Sequence, residues 1–304
     1  MLNLTLRLYY PAKRFLPRRL QLALRRSLVA HKLRKHTALW PINPATAAPP
    51  PGWTGWPEGK RFAFVLTHDV ESQRGLDRVL RVADLEERLG FRSSFNFVAE
   101  DYAVPSSLRE ELERRGFEVG LHGLTHDGTL YHSRREFLEQ ATRINAILKA
   151  WKVVGFRSPS MYHNLEWLHA LDIEYDASTF DTDPFEPQPD ALGTIFPIFI
   201  SKPGGRGGYV ELPYTLPQDF HLFVLMREAS IGIWKRKLHW LAEKGGLALL
   251  TTHPDYMLFD GNHANCDEYP LARYQEFLEH LAHTYGEAYW HVLPRQLARW
   301  LIER

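Results

Sequence analysis

Two histidines four residues apart, in Glu118-Val-Gly-Leu-His122-Gly-Leu-Thr-His126, directly follow an apolar run. If the chain turns into a helix there, both imidazoles face one point, because residues i and i+4 share a helix face. Two neutral imidazoles supply half to two-thirds of a typical divalent-metal site. Other chemistry-bearing residues stand at the ends of similar runs: Asp69 and Glu71 in His68-Asp-Val-Glu71, Arg157 in Arg157-Ser-Pro-Ser160, and His253 in Thr251-Thr-His253-Pro254. One acidic residue with two histidines makes a three-ligand site that leaves positions open for water and substrate. A metal held there lowers the pKa of bound water and polarises a carbonyl oxygen. A second carboxylate could take the water's proton, a late histidine such as His253 could protonate the leaving group, and Arg157 could pair with the base carboxylate. The set suits hydrolysis of an amide or ester. It suits phosphoryl transfer poorly, since no GxxxxGK[ST] loop is present; Gly204-Gly-Arg-Gly-Gly208 precedes a strand and reads as a surface loop.

The elements that must position these residues alternate. Residues 61–67, 95–98, 117–121, 153–156, 173–175, 209–213 and 247–250 read as buried strands. Helical spacing occupies 76–89, 107–115, 133–151, 228–244, 270–283 and 294–304, with Ser133 and Glu136 forming a capping signature and Pro270 and Pro294 opening the last two. Strands alternating with helices imply βαβ units and a parallel sheet. About seven of them predict an α/β fold, a distorted (β/α) barrel with about seven parallel strands. In such barrels the loops after the strands build the site, and here the polar residues fall at strand C-termini.

The order of these motifs resembles the polysaccharide deacetylase family (carbohydrate esterase family four). Thr67-His-Asp69-Val-Glu71 stands where that family has Thr-Phe-Asp-Asp; His122 and His126 match His-x-x-x-His; Arg157-Ser-Pro159 matches Arg-x-Pro; and Leu249-Leu-Thr-Thr-His253 matches the last strand ending in His. The resemblance covers about residues 61–255. It implies a seven-stranded barrel, removal of an acetyl group from a sugar, a divalent metal ion such as zinc, Asp69 as general base, His122 and His126 as metal ligands, Arg157 as the tether of Asp69, and His253 as general acid. The chain departs from the family at Val70, which replaces the family's metal-binding aspartate. Glu71 is taken as the third ligand; Asp69 as ligand, or a barrel without metal, are the alternatives. On the substrate side stand Pro159, Asp176 and Tyr214, with Asp219 beside Tyr214. Asp181 and Asp183, with Asp176, lie where the family's fourth motif falls and read as loop and turn residues. His68 would point away from Asp69 within a strand, into packing.

At 304 residues, 44% of them hydrophobic, the chain can bury a full barrel core. One cysteine, Cys266, excludes an internal disulfide and fits a reducing compartment. The net charge of +1 hides an asymmetry: residues 1–40 hold ten Lys/Arg and no acid, leaving −9 in the remainder. Residues 1–44 are therefore expected as a basic amphipathic N-terminal segment, a helical extension that lies on an anionic membrane or docks on the acidic barrel. Residues 45–59, rich in Pro and Gly, are expected as a linker, and 60–304 as the barrel. Trp53 and Trp56 either stack on a sugar or cover the barrel bottom. The polar loop 260–268, with His263 and Asp267, reads as solvated. Nucleic-acid binding is not expected, the basic region being short and without a binding motif. With no signal peptide apparent and no apolar stretch near 20 residues, the expected location is cytoplasmic, peripheral at the inner membrane face. The expected reaction is metal-dependent deacetylation of a carbohydrate substrate; a metal-free amidase or an inactive sugar-binding barrel are the rivals.

Overall fold

The computed structural model describes residues 17–36, 38–188, 190–260 and 265–304. Residues 1–16 of the expected basic segment, and His263, lie outside them. The chain runs through α1 (Arg18–His36), β1 (Phe62–Val70), α2 (Gln73–Leu76), α3 (Val79–Arg88), β2 (Ser94–Phe97), α4 (Ser106–Arg114), β3 (Glu118–Leu121) and α5 (Arg134–Trp151). It continues through β4 (Gly155–Phe156), β5 (Tyr175–Asp176), β6 (Ile198–Ser201), β7 (Gly208–Glu211), α6 (Gly232–Lys244), β8 (Leu247–Thr252), β9 (Met257–Leu258), β10 (Tyr269–Pro270), α7 (Ala272–Tyr285), β11 (Tyr289–His291) and α8 (Pro294–Ile302).

Seven strands, β1, β2, β3, β4, β5, β7 and β8, pair in parallel, as the alternation predicts, and β11 adds an eighth beside β1. The sheet curls back on itself. Beyond β7 the chain bridges to β8 at Leu216 and Leu250, where the amides of Thr215 and Leu216 both donate to the Leu249 carbonyl at 3.1 Å. β1 is the hub, pairing with β8 along one side and with β2 and β11 along the other. All nine of its residues are buried, which explains its near-continuous apolar reading: in a parallel sheet both faces are covered.

Among the differences from the sequence reading, one boundary and two strands bear on the barrel. β1 does not stop at Thr67 but continues through Val70, because β8 pairs with it as far as His68 and β2 as far as Val70. β6 was not anticipated; it pairs antiparallel with β7, so the glycine run 204–208 forms a hairpin turn rather than an open loop. β11 was not anticipated either, being only three residues long and half-buried. Residues 45–59 pack against the lower end of the barrel. There Trp56 donates its indole N–H to the Gly245 carbonyl at 2.8 Å and stacks on Trp300, while Trp53 meets Trp56 edge-on. Gly245 precedes β8, so these tryptophans sit at the end opposite His253.

Beneath the site, Glu118 opens β3 as a buried carboxyl. It accepts from the Tyr175 hydroxyl at 2.8 Å and the Arg295 amide at 3.1 Å. Burial pushes it up to about 7 from an ordinary 4.5. The fold therefore favours neutral Glu118, a contribution fully present below about pH 4.5 and lost as pH rises through about 7. At 1.36 kcal/mol per pKa unit the loss is about 3 kcal/mol. Denaturant unfolding should show the natural protein losing stability relative to Glu118→Gln across that window; parallel pH profiles would remove Glu118 as the cause.

Candidate active site

β1 alternates its side chains between two chemistries. Thr67, Asp69 and Glu71 face the barrel interior. His68 faces outward to α3, held by Glu86 at 2.6 Å and by Thr252 at 2.8 Å and stacked on Phe95. The period of two in a strand imposes this division.

The structure brings Glu71, His122 and His126 together, one ligand atom from each lying within 4.8 Å of the others. Glu71 Oε1 is 3.1 Å from His126 Nε2. No helix does this. Residues 122–129 form a loop after β3, and the pair converges because Gly123 takes φ +74°, bringing the two rings to 5.3 Å. Spacing of four was the right clue attached to the wrong element. Gly123 is required twice over, since a β-carbon there would sit 2.8 Å from the Pro159 ring. Gly123→Ala should destabilise the fold by about 1–3 kcal/mol and weaken divalent-ion binding, read by melting with and without added ion. An unchanged ion-induced rise in Tm would show that the loop does not set the site.

His122 Nδ1 lies 3.0 Å from the Arg157 carbonyl, which can only accept, so the proton sits on Nδ1 and Nε2 keeps a lone pair. Burial pushes His122 down to about 4, which keeps it neutral. Glu71 is the acidic member of the trio. Burial alone would raise it, but His126 beside it holds its carboxyl well below the usual range. Its other oxygen accepts from the Tyr256 hydroxyl at 2.5 Å, and its own amide donates to Asp255 at 2.9 Å. A carboxylate and two imidazoles, held from behind by the Arg157 carbonyl, Tyr256 and Asp255 and open to a cavity, form a donor set that fits a divalent cation.

Asp69 shares the cavity with this trio. Asn96 Nδ2 donates to it at 2.9 Å, and Arg157 Nη1 lies 3.5 Å from both its oxygens. Burial opposes its charge, yet Arg157, with His122, His253 and Asn96, holds it below its ordinary value. Arg157 is itself fully buried and pinned by the Ala177 carbonyl at 2.8 Å and Thr67 Oγ1 at 2.9 Å. Across the cavity, His253 Nδ1 meets Asp219 Oδ1 at 2.7 Å, leaving Nε2 towards Glu71 at 3.9 Å. Asp219 also accepts from the amides of His253 and Phe220 and from the Tyr269 hydroxyl. Burial works against a charged His253, but Asp219, then Glu71 and Asp69, outweigh it and push it up to about 10.

The cavity measures about 890 Å³, with Asp69, Glu71, His122, His126 and His253 in its wall. Pro159, Asp176 and Tyr214 stand behind that wall. Asp176 accepts from the amide and hydroxyl of Ser178, whose oxygen in turn accepts the Ser158 amide, so it props the loop that carries Arg157. Tyr214 donates between Asp183 and Glu186 at 2.8 and 2.7 Å. Asp181 is buried against Lys237. Sequence reasoning missed Asn96 and gave Asp219 a substrate-side place rather than its hold on His253. Asn96 had a signal: a polar residue in the buried strand Phe95-Asn-Phe97 demands a partner.

No family model matches the chain, and no curated protein does. Solved structures do match in fold. A Mycobacterium smegmatis protein assigned as a polysaccharide deacetylase aligns with TM-score 0.62 and 20% identity over 82% of this chain and 93% of its own. A Pseudomonas aeruginosa PAO1 protein of the same assignment gives 0.60 and 16% over 82% and 94%. An allantoinase, Puue, gives 0.57 and 16% over 80% and 91%. At these identities the likeness establishes a shared barrel fold.

Proposed function

We propose that this chain, built on the barrel that polysaccharide deacetylases and an allantoinase share, is a metal-dependent hydrolase that removes an acetyl group from the nitrogen of a sugar. The observation that carries the reading is the Glu71–His122–His126 trio, open to a cavity that also holds Asp69 beside Arg157 and His253 paired with Asp219. A divalent ion bound there, for which zinc suits the nitrogen and oxygen donors, supplies Lewis acidity and a water easily deprotonated at neutral pH.

The chain's own residues do the rest. Asp69 accepts the proton of the attacking water, with Asn96 and Arg157 holding its carboxylate in place. His253 Nε2 delivers a proton to the departing amine, and Asp219 keeps that imidazole oriented and charged. Water adds to the acyl carbon, the C–N bond breaks, and acetate and a free amine result. A carbohydrate substrate is supported by an adjoining cavity of about 1230 Å³ that shares Lys32, Glu186 and Pro187 with the first. Trp40, Tyr131 and Trp167 line it among polar groups, the mixture of apolar faces and hydrogen-bonding partners that sugar rings use.

Acetate release from N-acetylated oligosaccharides should be abolished by chelation and restored by a divalent ion. Chelator-resistant turnover of a non-sugar amide would instead establish the metal-free amidase, and ion binding without any turnover the sugar-binding protein.

A further inference from the structure

Helix α1 is apolar on two faces: Leu22 and Val29 are buried in the core, and a second row of leucines faces out. On a surface helix apolar residues normally face the protein and charges face water. Here four cations turn inward. Arg18 pairs with Asp267 at 2.9 Å; Arg26 donates to the carbonyls of Val224 and Cys266 at 3.0 and 2.9 Å; Lys32 donates to the Pro184 carbonyl at 2.7 Å; and Arg25 lies 4.7 Å from the Phe220 ring centre. The outward face carries Leu20, Leu24 and Leu28, spaced by four and 46%, 54% and 54% exposed, flanked by the exposed cations Arg19, Arg34 and Lys35. The helix contains no acidic residue. Leu24 and Leu28 also belong to the wall of the cavity, so this end of the stripe borders its mouth, with Leu20 beyond it.

We infer that α1 seats the mouth of the catalytic cavity on an anionic lipid surface. Leucines spaced by four present one apolar strip along the helix, and cations beside it are attracted to anionic headgroups, the pairing by which helices lie in a membrane interface. Leu22 and Val29, buried in the core, fix this orientation together with the inward cations, which are tied to Asp267 and to backbone carbonyls. No helix among the described residues is long and apolar enough to cross a membrane. Combined with the proposed deacetylation, on which this last step rests, the substrate is an N-acetylated sugar carried on a lipid, its sugar reaching the trio while its anchor stays in the bilayer.

Flotation of the full chain with phosphatidylglycerol vesicles tests the docking without any assay of catalysis. The full chain should bind these at least about tenfold better than phosphatidylcholine vesicles, and less well as salt rises. Leu20→Asp, at an exposed position outside the cavity wall, should weaken binding about tenfold or more while leaving acetate release from a soluble oligosaccharide unchanged. Lys35→Glu should weaken it about fivefold. Equal binding by the natural protein and both variants would overturn the proposal. So would a dimer in vesicle-free solution that Leu20→Asp dissociates, since a second copy would then be what covers the stripe. Vesicle binding in a protein that never releases acetate would leave the docking standing and remove the deacetylase reading.

Discussion

Replacing His122 by alanine should strip the protein of its ion and of its activity together. His122 is the most constrained member of the trio: buried, neutral, its tautomer fixed by the Arg157 carbonyl. Loss of a partner behind a metal ligand costs 10–100-fold in affinity or activity, so loss of the ligand itself should exceed about a hundredfold. Elemental analysis of the purified protein alongside the variant reads this without a substrate. About one divalent ion per chain in the natural protein, absent from the variant, is the expected result. Equal ion content in both would place the metal elsewhere or nowhere.

Asp69→Asn should behave differently. Asp69 is outside the trio, so the variant should keep its ion, and the amide is close enough in shape to hold the pocket. It cannot take a proton. Turnover should fall by about 10² to 10⁴, the range of a positioned general base. KM should change little, because the loss lies in a step after binding. A variant that lost its ion would make Asp69 the acidic ligand and transfer the base role to another group. The two variants thus separate holding the ion from using it.

Much of this was legible in the sequence because barrels place chemistry at strand ends. Asp69, Glu71, the two histidines, Arg157 and His253 all reach one cavity or its supporting layer, and the seven parallel strands follow from the alternation. What escaped was tertiary in origin. The loop that joins His122 to His126 depends on a left-handed glycine, and spacing alone does not distinguish that from a helical turn. The grip of Asp219 on His253 spans 34 residues and has no local pattern. The inward turn of the α1 cations depends on carbonyls at 184, 224 and 266 that composition cannot reveal.

The strict alternation along β1 makes the site sensitive to length in a way it is not sensitive to identity. Substitutions at 67, 69 and 71 act one at a time, and each can be graded. A single residue added to or removed from the paired stretch would slip the register and exchange the two faces at once. His68 and Val70 would then enter the cavity, and two carboxylates would be driven into the apolar layer beneath α3. The same parity bears on Val70. Its side chain is buried on the face opposite Asp69, and the carboxylate that meets His126 stands one residue further on, at Glu71.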